Sequence, residues 1–244
     1  SLIALVLYSC GEDAANEFSP STAGTGNGGS LASFLVTGNN PFVVSGSELK
    51  SFNLTEGDGI DLRGTLSLNS QLETIHPYES RILVGANDAV YFVDVRDADS
   101  PSLISTYRHF TSCDPVVAWR GVAYSTLRTT GCRFAGEELL DVIDFSDINN
   151  PVTLASYEVD TPYGLAANSD YLFVCESGGI SVIDNATPQS LTWVERFTFD
   201  SGAIPLDLIY VGNRRFIVTT TEGIYNIEYN ESGVISILGE ITGV

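Results

Sequence analysis

Lysine is almost missing from this chain. Lys50 stands alone among 11 basic residues, which face 31 acidic ones and leave a formal net charge of −20. Without a basic face a protein cannot displace the counterions around a duplex or a single strand, so nucleic-acid binding is excluded. Direct adsorption onto an anionic membrane surface fails on the same ground. Histidine is nearly as scarce, with only His76 and His109 available for general-base chemistry. There is no Gly-x-Ser-x-Gly elbow, no phosphate-cradling glycine loop and no histidine-rich metal spacing. Long helical periodicity is lacking too, which leaves short strands separated by Gly, Asn and Asp turns.

What is present is a repeated sentence. Leu139 to Pro151 reads LLDVIDFSDINNP, a β-branched strand running into a polar turn closed by proline. It recurs as VYFVDVRDADSP at Val90 to Pro101 and as ISVIDNATP at Ile180 to Pro188. Weaker copies are LKSFNL at Leu49 and IYNIEY at Ile224. The polar anchors Asn53, Asp94, Asp144, Asp184 and Glu228 are spaced 41, 50, 40 and 44 residues apart. The long interval holds an insertion near Thr129 to Glu138. Such a period marks propellers and solenoids, and 43% hydrophobic content over 244 residues is ample for one core. Each copy supplies four strands, so the expected fold is all-β: a five-bladed β-propeller of four antiparallel strands per blade, with repeats at about 31–68, 69–109, 110–159, 160–199 and 200–242. A β-sandwich is the competing architecture, but it does not require the equal spacing.

At a common offset upstream of the second strands lie Ala32, Glu73, Asp114, Tyr163 and Asp207. The first strand of a propeller blade lines the central channel, so three carboxylates are expected to converge at one mouth, with His109 and Arg128 nearby. Two readings compete. Glu73, Asp114 and Asp207 could hold a cation such as calcium, which prefers oxygen ligands, or they could be satisfied by backbone groups, Arg128 or channel water. The second is preferred, because carboxylates are mostly solvated or locally paired. The Asp-rich turns lack the Asp-x-Asp-x-Asp-Gly loop, and Asx-turn chemistry accounts for them without metal; no cofactor is expected. His76, followed by Pro77, is placed at a strand end.

The first residues have a different character. Leu2 to Leu7 is apolar but far too short to span a bilayer, and Leu7 to Cys10 resembles the end of a bacterial lipoprotein signal, in which the cysteine is lipidated. Residues 11–30 are acidic and then rich in Ser, Thr, Gly and Asn, the composition of a flexible tether. Acidic residues directly after Cys10 resemble the surface-export signals of Bacteroidetes-type lipoproteins. The stretches VYFVDVRDADSP and LLDVIDFSDINNP resemble the LVIVD-repeat family of bacterial surface proteins. That resemblance implies a propeller and carries over no activity.

Export implies an oxidising compartment, where Cys113 and Cys132 are expected to form a disulfide closing the inserted loop. Its closed loop of roughly 20 residues would contribute about 3 kcal/mol. Cys175 is read as a buried, inert thiol. The expected function is a lipid-anchored, non-enzymatic binding module, monomeric, on the bacterial outer membrane. It would recognise an extracellular protein or glycan through loops near Arg128, Arg133 and Phe134. The alternative is a hydrolase or lyase acting on a glycan or peptide in the channel.

Overall fold

Three of the five sheets share one local device. Asp94, Asp144 and Asp184 each end a strand and turn back on the chain: their carboxylates accept hydrogen bonds from the amides of Arg96 (3.0 Å), Ser146 (2.8 Å) and Ala186 (2.8 Å). Asp97 and Asp147 repeat the move three residues further on, accepting from the amides of Asp99 and Asn149. These are Asx turns, in which a short acidic side chain mimics a backbone turn.

The computed structural model describes residues 29–55, 59–110, 115–131 and 136–243. Every regular element among them is a β-strand. Blade 1 comprises β1 (Phe34–Thr37), β2 (Asn40–Ser45), β3 (Glu48–Thr55) and β4 (Gly59–Ser67). Blade 2 comprises β5 (Leu72–Tyr78), β6 (Arg81–Ala86), β7 (Ala89–Asp94) and β8 (Ser102–Arg108). Blade 3 is β9 (Val116–Trp119), β10 (Val122–Leu127), β11 (Leu139–Asp144) and β12 (Val152–Glu158). Blade 4 is β13 (Pro162–Ala167), β14 (Leu172–Glu176), β15 (Gly179–Asp184) and β16 (Thr192–Phe197). Blade 5 is β17 (Pro205–Gly212), β18 (Arg215–Thr220), β19 (Gly223–Tyr229) and β20 (Ile235–Thr242). Each blade is an antiparallel sheet with its strands in sequence order. Their first strands face one another around the axis. The architecture is a five-bladed β-propeller.

A bulge recurs in every blade, where the third strand meets the fourth: at Ser51/Phe52, Phe92/Val93, Val142/Ile143, Val182/Ile183 and Asn226/Ile227. Bulges increase local twist, and here they swing each outer strand relative to its sheet at the same height.

Four buried apolar clusters join the blades. They link blade 1 to 2, 2 to 3, 3 to 4 and 4 to 5. Polar ties follow the same order. Ser51 Oγ donates to the Ala98 carbonyl and Ser105 Oγ to that of Ile148; the Leu191 amide donates to Tyr157 Oη, and Tyr171 Oη to the Glu231 carbonyl. Arg63 adds a forked ion pair with Asp99 across blades 1 and 2.

The middle strands show what this does to burial. β6, β7, β10, β11, β14 and β15 are buried on both faces along most of their length. In blade 5, β18 and β19 alternate, fully buried on one face only, and β2 of blade 1 behaves the same way. Among the described residues no buried apolar cluster spans blades 5 and 1.

His76 lies inside β5 and not at its end, because the strand continues through Pro77 to Tyr78. The innermost strand is an edge of its sheet, where a residue without an N–H costs no ladder bond.

Candidate functional site

Bulges in the first strands set the axial mouth. Registers slip between Leu72 and Thr74, between Pro162 and Leu165, and between Pro205 and Asp207. Glu73, Tyr163 and Asp207 sit at these slips, where a strand re-aims a side chain. Asp207 is the best defined of them. Its carboxylate accepts from Ser30 N (3.2 Å), Ser30 Oγ (2.9 Å), Leu31 N (3.2 Å) and Leu208 N (2.9 Å). Ser30 Oγ in turn accepts from the Leu165 amide at 2.8 Å, and the Ala32 carbonyl accepts from Ile75 N at 2.8 Å. Residues 30 to 32 thus lie across the mouth, bonded to blades 5, 4 and 2.

Two glycines make room for this clasp. A Cβ on Gly29 would come within 2.0 Å of the Asp207 carboxylate, and one on Gly164 within 2.2 Å. Burial pushes the Asp207 carboxyl above its ordinary value, against the pull of its four donors. Its accepting oxygens are engaged by the protein's own groups. Glu73 is half-buried in β5, while Asp114 lies outside the described residues. Among the described residues no group of three or more His, Cys, Asp or Glu side chains is placed to hold a metal ion.

Arg128 and Tyr163 are brought together. The guanidinium lies 4.7 Å from the ring centroid, a cation–π contact of about 0.5–1 kcal/mol at an exposed site. The Tyr163 carbonyl also accepts from Thr126 Oγ1 at 2.9 Å. Beside them Glu138 fastens the base of the insertion. Its carboxylate accepts from Thr130 N (2.6 Å), Thr129 N (3.3 Å) and Thr129 Oγ1 (3.1 Å). Burial works to raise the Glu138 carboxyl, but these bonds outweigh it and hold the group below the usual carboxylate range. Exposed Phe110 lies against the same base, close to Gly136 and Thr129. Sequence reasoning missed Glu138 and Phe110. A Thr-Thr pair eight or nine residues before a glutamate is a usable signal for such a clamp only once Thr129 and Glu138 are known to stand at the two ends of the insertion. Cys113, Cys132, Arg133 and Phe134 lie outside the described residues, as does Cys10.

The two histidines have separate roles. His76 is half-buried and hydrogen-bonded to the Ala118 backbone of blade 3; loss of solvent around the ring pushes it down to about 4. His109 follows β8, with Nδ1 2.6 Å from the Phe110 carbonyl oxygen and its ring 6.3 Å from that of Tyr107. Burial lowers it as well. Tyr107 donates to Asp141 Oδ2 at 3.0 Å, and burial pushes its phenol up to about 12. Cys175 is fully buried in β14, and burial, followed by the nearby charges of Asp207 and Glu176, holds its thiol well above the ordinary value. A thiol in that setting is a poor nucleophile.

No protein-family model matches the chain, and no curated protein matches it. Solved structures share its fold. A periplasmic gluconolactonase, PpgL, from Pseudomonas aeruginosa superposes with TM-score 0.66 and 13% identity over 84% of this chain and 68% of that one. A protein from Lactobacillus plantarum gives 0.64 and 15% over the same shares. BamB from Moraxella catarrhalis gives 0.57 and 11%, over 89% of this chain and 63% of its own. At these identities the likeness is one of fold alone: the chain has the β-propeller architecture of these proteins.

Proposed function

We propose that the chain is a non-enzymatic binding module of the LVIVD-repeat type, exported and held at the bacterial outer membrane through lipidated Cys10. It recognises an extracellular protein or glycan with the loops around the blade 3 insertion. The observation that carries this reading is the base of that insertion. Glu138 locks it to Thr129 and Thr130, and beside it stand an exposed aromatic, Phe110, and a cation stacked on Tyr163. Aromatic and arginine side chains on a rigid frame are the groups that dominate recognition surfaces. The axial mouth supports the reading from the other side, since residues 30 to 32 lie across it and engage Asp207.

The test is cross-linking mass spectrometry of the purified chain on intact envelopes, together with a glycan array. Cross-links or glycan binding that involve the Phe110–Arg128–Glu138 face, and that Phe110→Ala with Arg128→Ala removes, are the expected result. Binding indifferent to both substitutions overturns it. The competing hydrolase or lyase reading would instead show as turnover of sugar lactones, glycans or peptides that depends on His109. Anchoring is checked separately by palmitate labelling, which Cys10→Ala should abolish.

A further inference from the structure

Cross-strand register shows which side chains share a face of blade 1. Leu35, Phe42 and Leu49 point toward blade 2 and are buried there. Phe34 pairs with Val43, Phe52 with Leu62 and Leu54 with Ile60, all on the opposite face. That face carries these apolar side chains beside the Lys50–Glu48 ion pair, and Phe34 is 61% exposed, Leu62 59% and Ile60 65%. Blade 5 has a counterpart. Ile209, Ile217 and Asn226 form one cross-strand row, and Thr219, Ile224 and Ile241 the next. They lie on the face turned away from the cluster shared with blade 4. In blades 2, 3 and 4 the middle strands are covered on both faces by neighbouring sheet, while the outermost strands β8, β12 and β16 stay largely exposed, as β4 does.

We propose that these two faces form a docking site for a further four-stranded blade, entered at the seam between blades 5 and 1. Continuity with the four existing joints argues for sheet: sheets pack face to face at about 10 Å through interdigitated apolar rows. Contiguous exposed apolar surface of this kind marks an interaction site. A second whole copy does not fit. Residues 29 to 32 can span no more than about 14 Å, yet they bond to blades 5, 4 and 2. The inner strands therefore converge on a narrow axis, and the seam opens outward as a wedge and not as half a ring. The site lies on a different surface from the insertion loops and stands independently of their role.

The experiment appends a copy of residues 160–199 after residue 243 through a short Gly-Ser linker. The expected result is a rise in Tm of about 5 °C or more and a slowing of amide exchange of roughly tenfold in β2, β3, β18 and β19. Phe34→Glu with Leu62→Glu should cancel that gain while shifting the Tm of the original 244-residue chain by less than about 2 °C. An appended blade that proteolysis trims away, with Tm and exchange unchanged, overturns the proposal. So does a stable dimer of the original chain at concentrations on the order of 100 µM that the same double substitution dissolves, because the face would then belong to a second copy.

Discussion

The joint between blades 4 and 5 and the seam between blades 5 and 1 are made of similar strands, but they are held in opposite ways. At the first, Phe173, Phe216 and Tyr229 stack with centroids 4.6 to 5.9 Å apart inside a buried cluster. At the second, the bonds described are polar and lie at the axis: Ser30 and Leu31 on Asp207. A joint rich in apolar contact resists separation in proportion to buried area. A joint made of a few hydrogen bonds contributes about 1 kcal/mol for each. The propeller is thus cohesive through four joints and merely fastened at the fifth.

This contrast can be broken most forcefully from the cohesive side. Phe173→Ala should cost about 3–5 kcal/mol by chemical denaturation, because a fully buried ring leaves a cavity its neighbours cannot fill. Acidification attacks another cohesive joint. His76 has a folded pKa near 4, below its ordinary 6.5, so between those values the unfolded chain binds more protons. Stability is therefore lost as pH falls from about 6.5 to about 4, by about 3 kcal/mol at most. His76→Asn should flatten that part of the stability–pH curve. At the seam, Ser30→Ala strips Asp207 of a donor and the Leu165 amide of its acceptor, and should cost about 1–2 kcal/mol in the same denaturation assay. The smallest effect belongs to the uncovered face: Leu62→Glu should change stability by less than about 0.5 kcal/mol. A loss comparable to that of Phe173→Ala would mean that the face is covered and that the contrast between joints is wrong.

The blades were legible because their signal is local. Asp94, Asp144 and Asp184 need only their own next two residues to make the turn, so each copy announces itself. The anchors Asn53 and Glu228 are weaker echoes, and they belong to blades 1 and 5, whose sheets are covered on one face. Tyr163 was within reach as a member of the ring at a common offset, whereas Arg128, read as a partner for the carboxylates, lies over the Tyr163 ring instead. Three features were not. The recurrent bulge reflects a pairing slip that no residue type marks. The Ser30 clasp joins residues 177 apart, and Ser30 was assigned to a tether on composition. The open seam depends on which face lacks a neighbour, while alternation alone says only that a strand has two faces.

The clasp also gives the molecule a history. Each blade pairs strands that are adjacent in the chain, so assembly can proceed as in a linear repeat array, with every joint formed between sequence neighbours. Among the described residues, the bonds of Ser30 and Leu31 to Asp207 and of Leu165 to Ser30 require distant parts of that array to find one another. Closing a loop of this size costs on the order of 5 kcal/mol of chain entropy when the intervening chain is disordered, and far less once the blades have stacked and delivered Asp207 to the axis. The clasp is therefore the natural last event of folding, and amide exchange at Leu31 and Leu165 would be a clock for when the array becomes a ring.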